Sequence, residues 1–209
     1  MEQISKLNVK STTTIGIVCS DGIVLGADTR MSLDTFIASE EAVKIFKIDE
    51  GLGVAMSGLG VDANYLVKVL KLENENHKME EGISMSPSAA ASLLSLILQE
   101  NRYTPYLVEA IVAGINKGVP ELYTMDAVGG SIKESKFTAN GSGAIVALGY
   151  LESAYKEGMN VDEGVRHAAK ALQIAMARDA ATGGSIKIAT ITKKGFKEYT
   201  KEELDKLAK

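Results

Sequence analysis

The feature that most constrains this chain is a pair of β-branched runs near its start. The first run begins with three threonines at 12–14, the second covers 23–28 and ends in Asp28, and Asp21-Gly22 lies between them. β-Branched residues favour strands, and an Asp-Gly pair between two such runs is a strong signal for a two-residue hairpin turn. The sequence therefore predicts an antiparallel hairpin whose second strand returns Asp28 toward the threonines.

The position of Thr12 suggests a nucleophile. A threonine hydroxyl is weak until a base takes its proton, and cleavage before Thr12 would place an α-amino group with a pKa of about 7.7–8.0 on the same residue. A nearby lysine would lower the pKa of that amine, and a carboxylate would hold the lysine in place. Composition alone also fits a simpler interpretation, in which the threonines form the β-rich edge of a sheet.

Strand alternation sets a condition on this hypothesis. A turn at Asp21-Gly22 pairs Thr12 with Met31, and Asp28 then lies on the face of the hairpin opposite to Thr12. For the two side chains to meet, either a bulge must shift the register or Thr12 must leave the ladder. The sequence leaves both arrangements open.

Composition narrows the class of protein. The chain has 209 residues, of which 45% are hydrophobic and 24% are charged, as expected of one globular domain. Its net charge is −4, without a basic block, so composition gives no support for nucleic-acid binding. No apolar run approaches the roughly 20 residues of a membrane span, and the single cysteine, Cys19, fits a reducing compartment. We therefore expect a cytoplasmic protein without a membrane partner.

Hydrophobic periodicity predicts two blocks of strands with helices between and after them. The predicted strands after the hairpin are 43–48, 52–57, 107–115, 121–127, 131–139 and 186–192, and the predicted helices are 62–80, 86–98, 141–157, 160–178 and 201–209. Ser86-Pro87 and Asn160 with Glu163 provide helix-start signals. Two strand blocks with helix pairs favour two packed sheets with helices outside.

Several short segments in a fixed order resemble the proteasome β subunits, of the single-type archaeal kind, over 12–192. Each segment is weak alone, but their order together is specific. They are the Asp28 strand, Thr-Thr-Thr-Ile-Gly at 12–16, Val-Lys-Ile-Phe-Lys-Ile-Asp at 43–49, Met-Ser-Gly-Leu-Gly-Val-Asp-Ala at 56–63, Asn-Gly-Ser-Gly at 140–143 and Arg-Asp-Ala-Ala-Thr-Gly-Gly at 178–184. The resemblance implies an α+β fold, the four-layer α-β-β-α sandwich of N-terminal-nucleophile hydrolases. It also implies a propeptide over 1–11 and one domain over 12–209.

The resemblance implies that Thr12 is the catalytic nucleophile, with Asp28 and Lys44 as the charged pair beside it. The backbone N–H of Gly58 corresponds to the oxyanion donor, for which glycine permits a close approach. Read without the family, Asp28 and Lys44 are ordinary strand charges that face solvent, and Gly58 is a turn at the end of a strand.

Three further hydroxyl and carboxyl groups complete the implied site. Ser142 corresponds to a serine that orders the catalytic water, Asp179 supports it, and Thr182 stands where archaeal relatives often have serine. We expect the Thr182 hydroxyl to keep its hydrogen bond, provided that the added methyl group is accommodated. Ser142 is also a plausible helix cap, and Asp179 a residue that ends a helix before the glycines.

The implied pocket for the residue before the cleaved bond is lined by five residues, and it predicts a preference for large apolar side chains. These substrate-binding residues are Met31, Ser32, Ala42, Phe46 and Met56. Read from the pattern alone, Met31 and Met56 are simply core residues. The two histidines, His77 and His167, lack the spacing of a metal site, and the resemblance implies that peptide cleavage needs no metal or organic cofactor.

The implied function is that of the catalytic β subunit of a 20S proteasome. It implies autocatalytic cleavage between Ser11 and Thr12, partner α subunits and other β subunits in seven-membered rings of a particle of about 28 subunits, and a regulatory ATPase ring that feeds unfolded proteins. Ser11 stands where relatives usually have glycine, so we expect slower processing because serine reaches tight backbone conformations less easily. Two alternatives stay open: a structural β subunit that is never processed, and another N-terminal-nucleophile hydrolase.

Overall fold

The computed structural model describes residues 12–33 and 36–207, and these form two five-stranded sheets, a short hairpin and five helices. The strands are β1 (Thr13–Cys19), β2 (Gly22–Asp28), β3 (Met31–Leu33), β4 (Phe36–Ser39), β5 (Ile45–Asp49), β6 (Leu52–Gly58), β7 (Val108–Asn116), β8 (Val119–Met125), β9 (Ser131–Glu134), β10 (Phe137–Gly141), β11 (Ile186–Thr192) and β12 (Gly195–Glu198). The helices are α1 (Gly60–Glu81), α2 (Pro87–Glu100), α3 (Ala144–Ala154), α4 (Val161–Arg178) and α5 (Lys201–Leu207).

All strand pairs are antiparallel. The first sheet has the order β10-β1-β2-β11-β12, and the second sheet has the order β5-β6-β7-β8-β9. The remaining pair, β3 and β4, forms a separate two-stranded hairpin between β2 and β5. Because β1 lies between β10 and β2, the threonine segment enters the interior of the first sheet rather than its edge.

The core is divided into three clusters, one at each interface between layers. One joins the second sheet to α1 and α2 and includes Leu66 and Leu94. Another joins the first sheet to α3 and α4 and includes Ile15 and Leu172. The third, which includes Ile111, lies between the sheets. Burying each such side chain contributes about 1.5–3 kcal/mol. The predicted four-layer α-β-β-α sandwich is therefore confirmed.

The first hairpin turns one position earlier than predicted. Cys19 pairs with Gly22, so Ser20 and Asp21 form the turn. Tertiary contacts explain the shift, because the Ser20 N–H donates to the Met159 carbonyl at 2.9 Å and the Asp21 carboxylate accepts from the Val161 N–H at 2.8 Å. Gly22 is needed for packing, since a Cβ there would lie 2.9 Å from the Thr192 side chain.

Both predicted helix starts are confirmed. The Ser86 hydroxyl accepts from the Ala89 N–H at 3.1 Å, and Asn160 with Glu163 forms a reciprocal capping box. The predicted helix over 141–157 is shorter, because β10 continues to Gly141 and α3 ends at Ala154. None of the helices in the described ranges is long and apolar enough to cross a membrane.

The predicted strand over 131–139 is wrong as a single element. It divides into β9, at the edge of the second sheet, and β10, at the edge of the first. A continuous polar and apolar alternation does not show where a chain leaves one sheet for the other, because both halves keep a period of two. The short strands β3, β4 and β12 were not predicted from the pattern.

Candidate functional site

Asp28 is the centre of a buried polar cluster at the end of β2. Its side chain is fully buried. Its Oδ1 accepts from the Thr13 N–H at 2.9 Å and from Lys44 Nζ at 2.8 Å, and its Oδ2 accepts from the N–H groups of Arg30 and Gly183 at 3.1 and 2.9 Å. A buried carboxylate is stable only when it is paired and hydrogen-bonded in this way. The interpretation of Asp28 as a solvent-facing strand charge is wrong.

Lys44 precedes β5 and is 7% exposed. Its ammonium group donates to Asp28 Oδ1 at 2.8 Å and to the Arg30 carbonyl at 2.5 Å. Burial lowers the pKa of Lys44, while the charge and hydrogen bond of Asp28 act in the opposite direction and raise it. The structure therefore brings Asp28 and Lys44 together, as predicted, in a buried ion pair.

A row of hydroxyl groups converges on the Asp179 carboxylate, just after α4. Ser142 Oγ donates to Asp179 Oδ2 at 2.5 Å, and Thr182 Oγ1 donates to the same oxygen. The Thr13 and Thr182 hydroxyls lie 2.8 Å apart. Because Thr182 gives its only proton to Asp179, Thr13 is the donor in that pair. Thr182 is 1% exposed, so the structure accommodates its methyl group.

Thr12 joins this row through its backbone. Its N–H donates to Ser142 Oγ at 3.3 Å, and its carbonyl oxygen also lies 3.3 Å from that hydroxyl. Thr12 is 2% exposed and immediately precedes β1. No bulge interrupts the pairing of β1 with β2. Of the two arrangements that strand alternation left open, the structure therefore has Thr12 outside the ladder, and the residue that contacts Asp28 is Thr13.

Gly141 brings the Ser142 turn against Thr12. Its φ is +94°, and a Cβ at this position would overlap the Thr12 carbonyl. Only glycine fits both conditions. The helix cap that precedes α3 is Gly143, without a side-chain hydrogen bond, so the interpretation of Ser142 as a helix cap is wrong.

Gly58 is the last residue of β6 and lies near the Gly141–Ser142 turn. Its φ is +108°, and a Cβ there would overlap the Leu107 carbonyl, so the position requires glycine. The preceding residue, Ser57, has its Cβ 3.5 Å from where a Cβ on Gly141 would be. The end of β6 therefore adjoins the turn that contacts Thr12.

The predicted substrate-binding residues occupy three places in the described chain. Phe46 and Met56 belong to the cluster between the second sheet and the α1–α2 layer, where Met56 is 2% exposed. Met31 and Ser32 lie on β3. Ala42 lines a cavity of about 400 Å³ that also reaches Asp28 and Lys44, and none of the other four residues lines this cavity.

Two contributors to the site were not predicted. Thr13 binds both Asp28 and Thr182, and strand alternation, which placed Asp28 opposite Thr12, already implied that Asp28 faces Thr13. Arg30 donates from Nη1 to the Ala180 carbonyl at 3.1 Å, so it fixes the loop that carries Asp179 and Thr182. No sequence signal distinguished Arg30 from a surface charge.

No group of three or more histidine, cysteine, aspartate or glutamate side chains within 12–33 and 36–207 is arranged to hold a metal ion. The predicted cleavage position between Ser11 and Thr12 lies partly outside the described residues, because the description begins at Thr12.

Comparison with known proteins gives a consistent result. A family model described as "Proteasome subunit" matches residues 9–191. The chain is 43% identical over 200 residues to the proteasome subunit beta of Methanohalophilus mahii, covering 96% of this chain and 95% of that protein. It is 41% identical over 196 residues to the proteasome subunit beta of Methanosarcina thermophila, covering 94% and 93%. It is 43% identical over 201 residues to proteasome subunit beta 1 of Thermococcus onnurineus, covering 96% and 98%.

Proposed function

The chain belongs to the proteasome subunit family as a β subunit, and from this premise we propose that Thr12 is its catalytic nucleophile. The observation that carries the proposal is the buried ion pair of Asp28 and Lys44, which binds the N–H of Thr13, the residue directly after Thr12. A buried ammonium beside an amine lowers the pKa of that amine. The Thr12 amine, once free, is then neutral near pH 7 and can act as the base.

The first step of the proposed mechanism is processing. The Thr12 hydroxyl attacks the carbonyl carbon of Ser11, the bond between Ser11 and the Thr12 nitrogen breaks, and the hydroxyl proton passes to that nitrogen. Water then hydrolyses the resulting ester, which releases residues 1–11 and frees the Thr12 amine and hydroxyl.

Hydrolysis of a substrate peptide also passes through an ester of the Thr12 hydroxyl. The amine takes the hydroxyl proton, Oγ1 attacks the substrate carbonyl, and the leaving amine receives that proton before water cleaves the acyl ester.

The remaining residues take supporting roles in this proposal. The Gly58 N–H stabilises the negative oxygen of the tetrahedral intermediate, and Ser142, held by Asp179, positions the Thr12 nitrogen and the attacking water. Thr182 fixes the other side of the Asp179 carboxylate. The five residues Met31, Ser32, Ala42, Phe46 and Met56 bind a large apolar side chain before the cleaved bond.

As a family member, the subunit assembles into a proteasome particle with other subunits. We further propose seven-membered rings shared with other β subunits and stacked between rings of α subunits, in a particle of about 28 subunits. Heterologous contacts that close into a ring generate this kind of symmetry. In this proposal the particle lies in the cytoplasm and a regulatory ATPase ring delivers unfolded proteins to it.

Intact mass spectrometry of the chain, after assembly with its α partner, tests the proposal. We expect a mass that lacks residues 1–11, with Thr12 as the new N-terminus. The Thr12→Ala variant should keep its full mass and lose peptidase activity by at least about 10³-fold, whereas Thr14→Val should be processed normally. A full-length mass in an assembled particle would overturn the catalytic assignment and identify a structural subunit.

A further inference from the structure

Glu109 is a charged residue near the start of β7 that has no place in the mechanism above. It pairs with Ser57, and its neighbour Val108 pairs with Gly58. Glu109 lies on the same face of β7 as Ile111 and Ala113, which belong to the cluster between the sheets. Its side chain therefore points toward the first sheet. A carboxylate in such a position is costly unless it is hydrogen-bonded.

The Glu109 side chain reaches across to the other sheet. Its Oε2 accepts from the Gly141 N–H at 2.9 Å. Gly141 is the last residue of β10, pairs with Thr13 and directly precedes Ser142. Because Gly141 also packs against the Thr12 carbonyl, this one hydrogen bond acts on the backbone that places both Thr12 and Ser142.

A second bridge between the sheets lies one residue away. Asn140 Nδ2 donates to the Ala110 carbonyl at 3.2 Å, and Asn140 Oδ1 accepts from Thr124 Oγ1 at 3.1 Å. This bridge fixes the end of β10 against β7 and β8. Glu109, in contrast, binds the main chain at the turn itself, through the Gly141 N–H. The residue before Glu109 is Val108, which pairs with Gly58.

We propose that Glu109 is a positioning residue, whose carboxylate fixes the Gly141–Ser142 turn relative to the Gly58 strand. It thereby sets the distance between the Thr12 backbone, the water-ordering hydroxyl and the oxyanion donor, which are supplied by different sheets. A misplacement of about 1 Å in such an arrangement costs on the order of 10²-fold in rate. The proposal rests on the proposed peptidase function.

A matched pair of variants separates acceptor geometry from side-chain volume. Glu109→Gln keeps an oxygen acceptor at the same length, and Glu109→Met keeps the length without a strong acceptor. Each full-length chain is assembled with its α partner, and processing, kcat and KM on a peptide substrate and thermal unfolding are measured. The controls are Glu121→Gln and Glu121→Met, because Glu121 lies on β8 of the same sheet and pairs with Lys133 at 3.0 Å.

We expect Glu109→Met to process slowly and to lose at least about tenfold in kcat with KM within about twofold, because the substrate-binding residues are untouched. Glu109→Gln should stay within about threefold of the unaltered chain, and both Glu121 variants should match it. Equal kcat for Glu109→Met and the unaltered chain would overturn the proposal. So would equal defects in both Glu109 variants, or failure of Glu109→Met to assemble, since these outcomes show a role of charge or of folding. An unaltered chain without peptidase activity would instead contradict the proposed function.

Discussion

Three adjacent threonines occupy three different environments at the start of β1. Thr12 stands before the strand and binds Ser142. Thr13 has its hydroxyl next to that of Thr182, in the loop after α4, and donates to it. Thr14 faces the other sheet, and its hydroxyl is buried without a hydrogen-bond partner among the described residues. Successive residues of a strand face opposite sides of the sheet, so identical substitutions at neighbouring threonines have different effects.

This difference makes the pair Thr13→Val and Thr14→Val informative. Thr13→Val removes a buried hydroxyl that is hydrogen-bonded, so we expect a loss of about 1–2 kcal/mol in the free energy of unfolding and a lower kcat. Thr14→Val replaces an unpaired buried hydroxyl by a methyl group of similar size, and should be neutral or stabilising by up to about 1 kcal/mol. Urea unfolding curves of the two variants give the comparison. An equal loss in both would contradict the assignment of environments.

Individual site residues were predictable only to the extent that a motif carried them. Asp28 and Lys44 were identified from the ordered segments, and their ion pair is present. Glu109 and Arg30 were not, because a charged residue at a strand end has the same local pattern whether it faces solvent or a backbone N–H. Their significance depends on which main-chain group the fold brings opposite to them.

At the scale of elements, the β5–β6 hairpin is attached to α1 through Asp49. Its carboxylate accepts from Ser84 Oγ, from Asn74 Nδ2 at 3.3 Å and from Lys78 Nζ at 3.2 Å. Burial raises the pKa of Asp49, but the hydrogen bonds from Ser84, the Glu50 N–H, Asn74 and Lys78 outweigh it and lower the pKa from 3.8 to about 2. The hairpin is thus held by the charged form of one side chain.

The sign of the pH dependence follows from this lowered pKa. Asp49 contributes to stability above pH 4, and the contribution is lost as the pH falls from about 4 to about 2. We expect Asp49→Asn to cost on the order of 2 kcal/mol at pH 7 and little at pH 2, as measured by urea unfolding of the purified chain at both pH values. The exposed Asp205→Asn provides the control. A cost that is the same at both pH values would show that the charge of Asp49 is not responsible.

Elements were predicted best where the signal is local. The Ser86 and Asn160 caps lie within one turn of the groups they bind, and the face of α1 that carries Ala63, Leu66 and Leu70 is buried as its spacing indicates. The hairpin turn was misplaced because the loop before α4 decides it. A turn that is fixed by a segment about 140 residues away has no signal for its position in the local sequence.

At the scale of the whole molecule, the two sheets enclose one core while both outer helix layers retain exposed apolar side chains. Ile145 on α3 is 84% exposed, and Met79 on α1 is 77% exposed. Exposed apolar surface is expected of a subunit whose neighbours cover it. The layer order could be predicted from two strand blocks with helix pairs, but the exchange of β10 into the first sheet could not, because it depends on pairing across the molecule.

Cys19 reports on the integrity of this core. It is 4% exposed, and its Sγ would lie 2.6 Å from a Cβ on Gly164 of α4. Burial, together with the charges of Asp21 and Glu163, raises the pKa of the thiol to about 12. At pH 8 only about one thiol in 10⁴ is then the reactive thiolate.

We therefore expect the folded chain to resist a thiol-specific reagent at pH 8, and the unfolded chain to react at the rate of a free cysteine. The measurement is the labelling rate with and without denaturant, and Cys19→Ser, which leaves no cysteine, gives the background. Labelling of the folded chain at the unfolded rate would show that α4 does not cover β1 in solution.

The donor and acceptor roles of the hydroxyl groups around Asp179 are fixed by its carboxylate. Ser142 and Thr182 both donate their hydroxyl protons to the Asp179 carboxylate. Ser142 can therefore only accept a hydrogen bond from the Thr12 nitrogen. That nitrogen must be a donor, and it can donate both as the amide of an uncut chain and as the neutral amine of a cut one. If the chain is cut before Thr12 as proposed, the hydrogen bonds around this nitrogen therefore stay the same before and after cleavage, and no neighbouring side chain has to reorient.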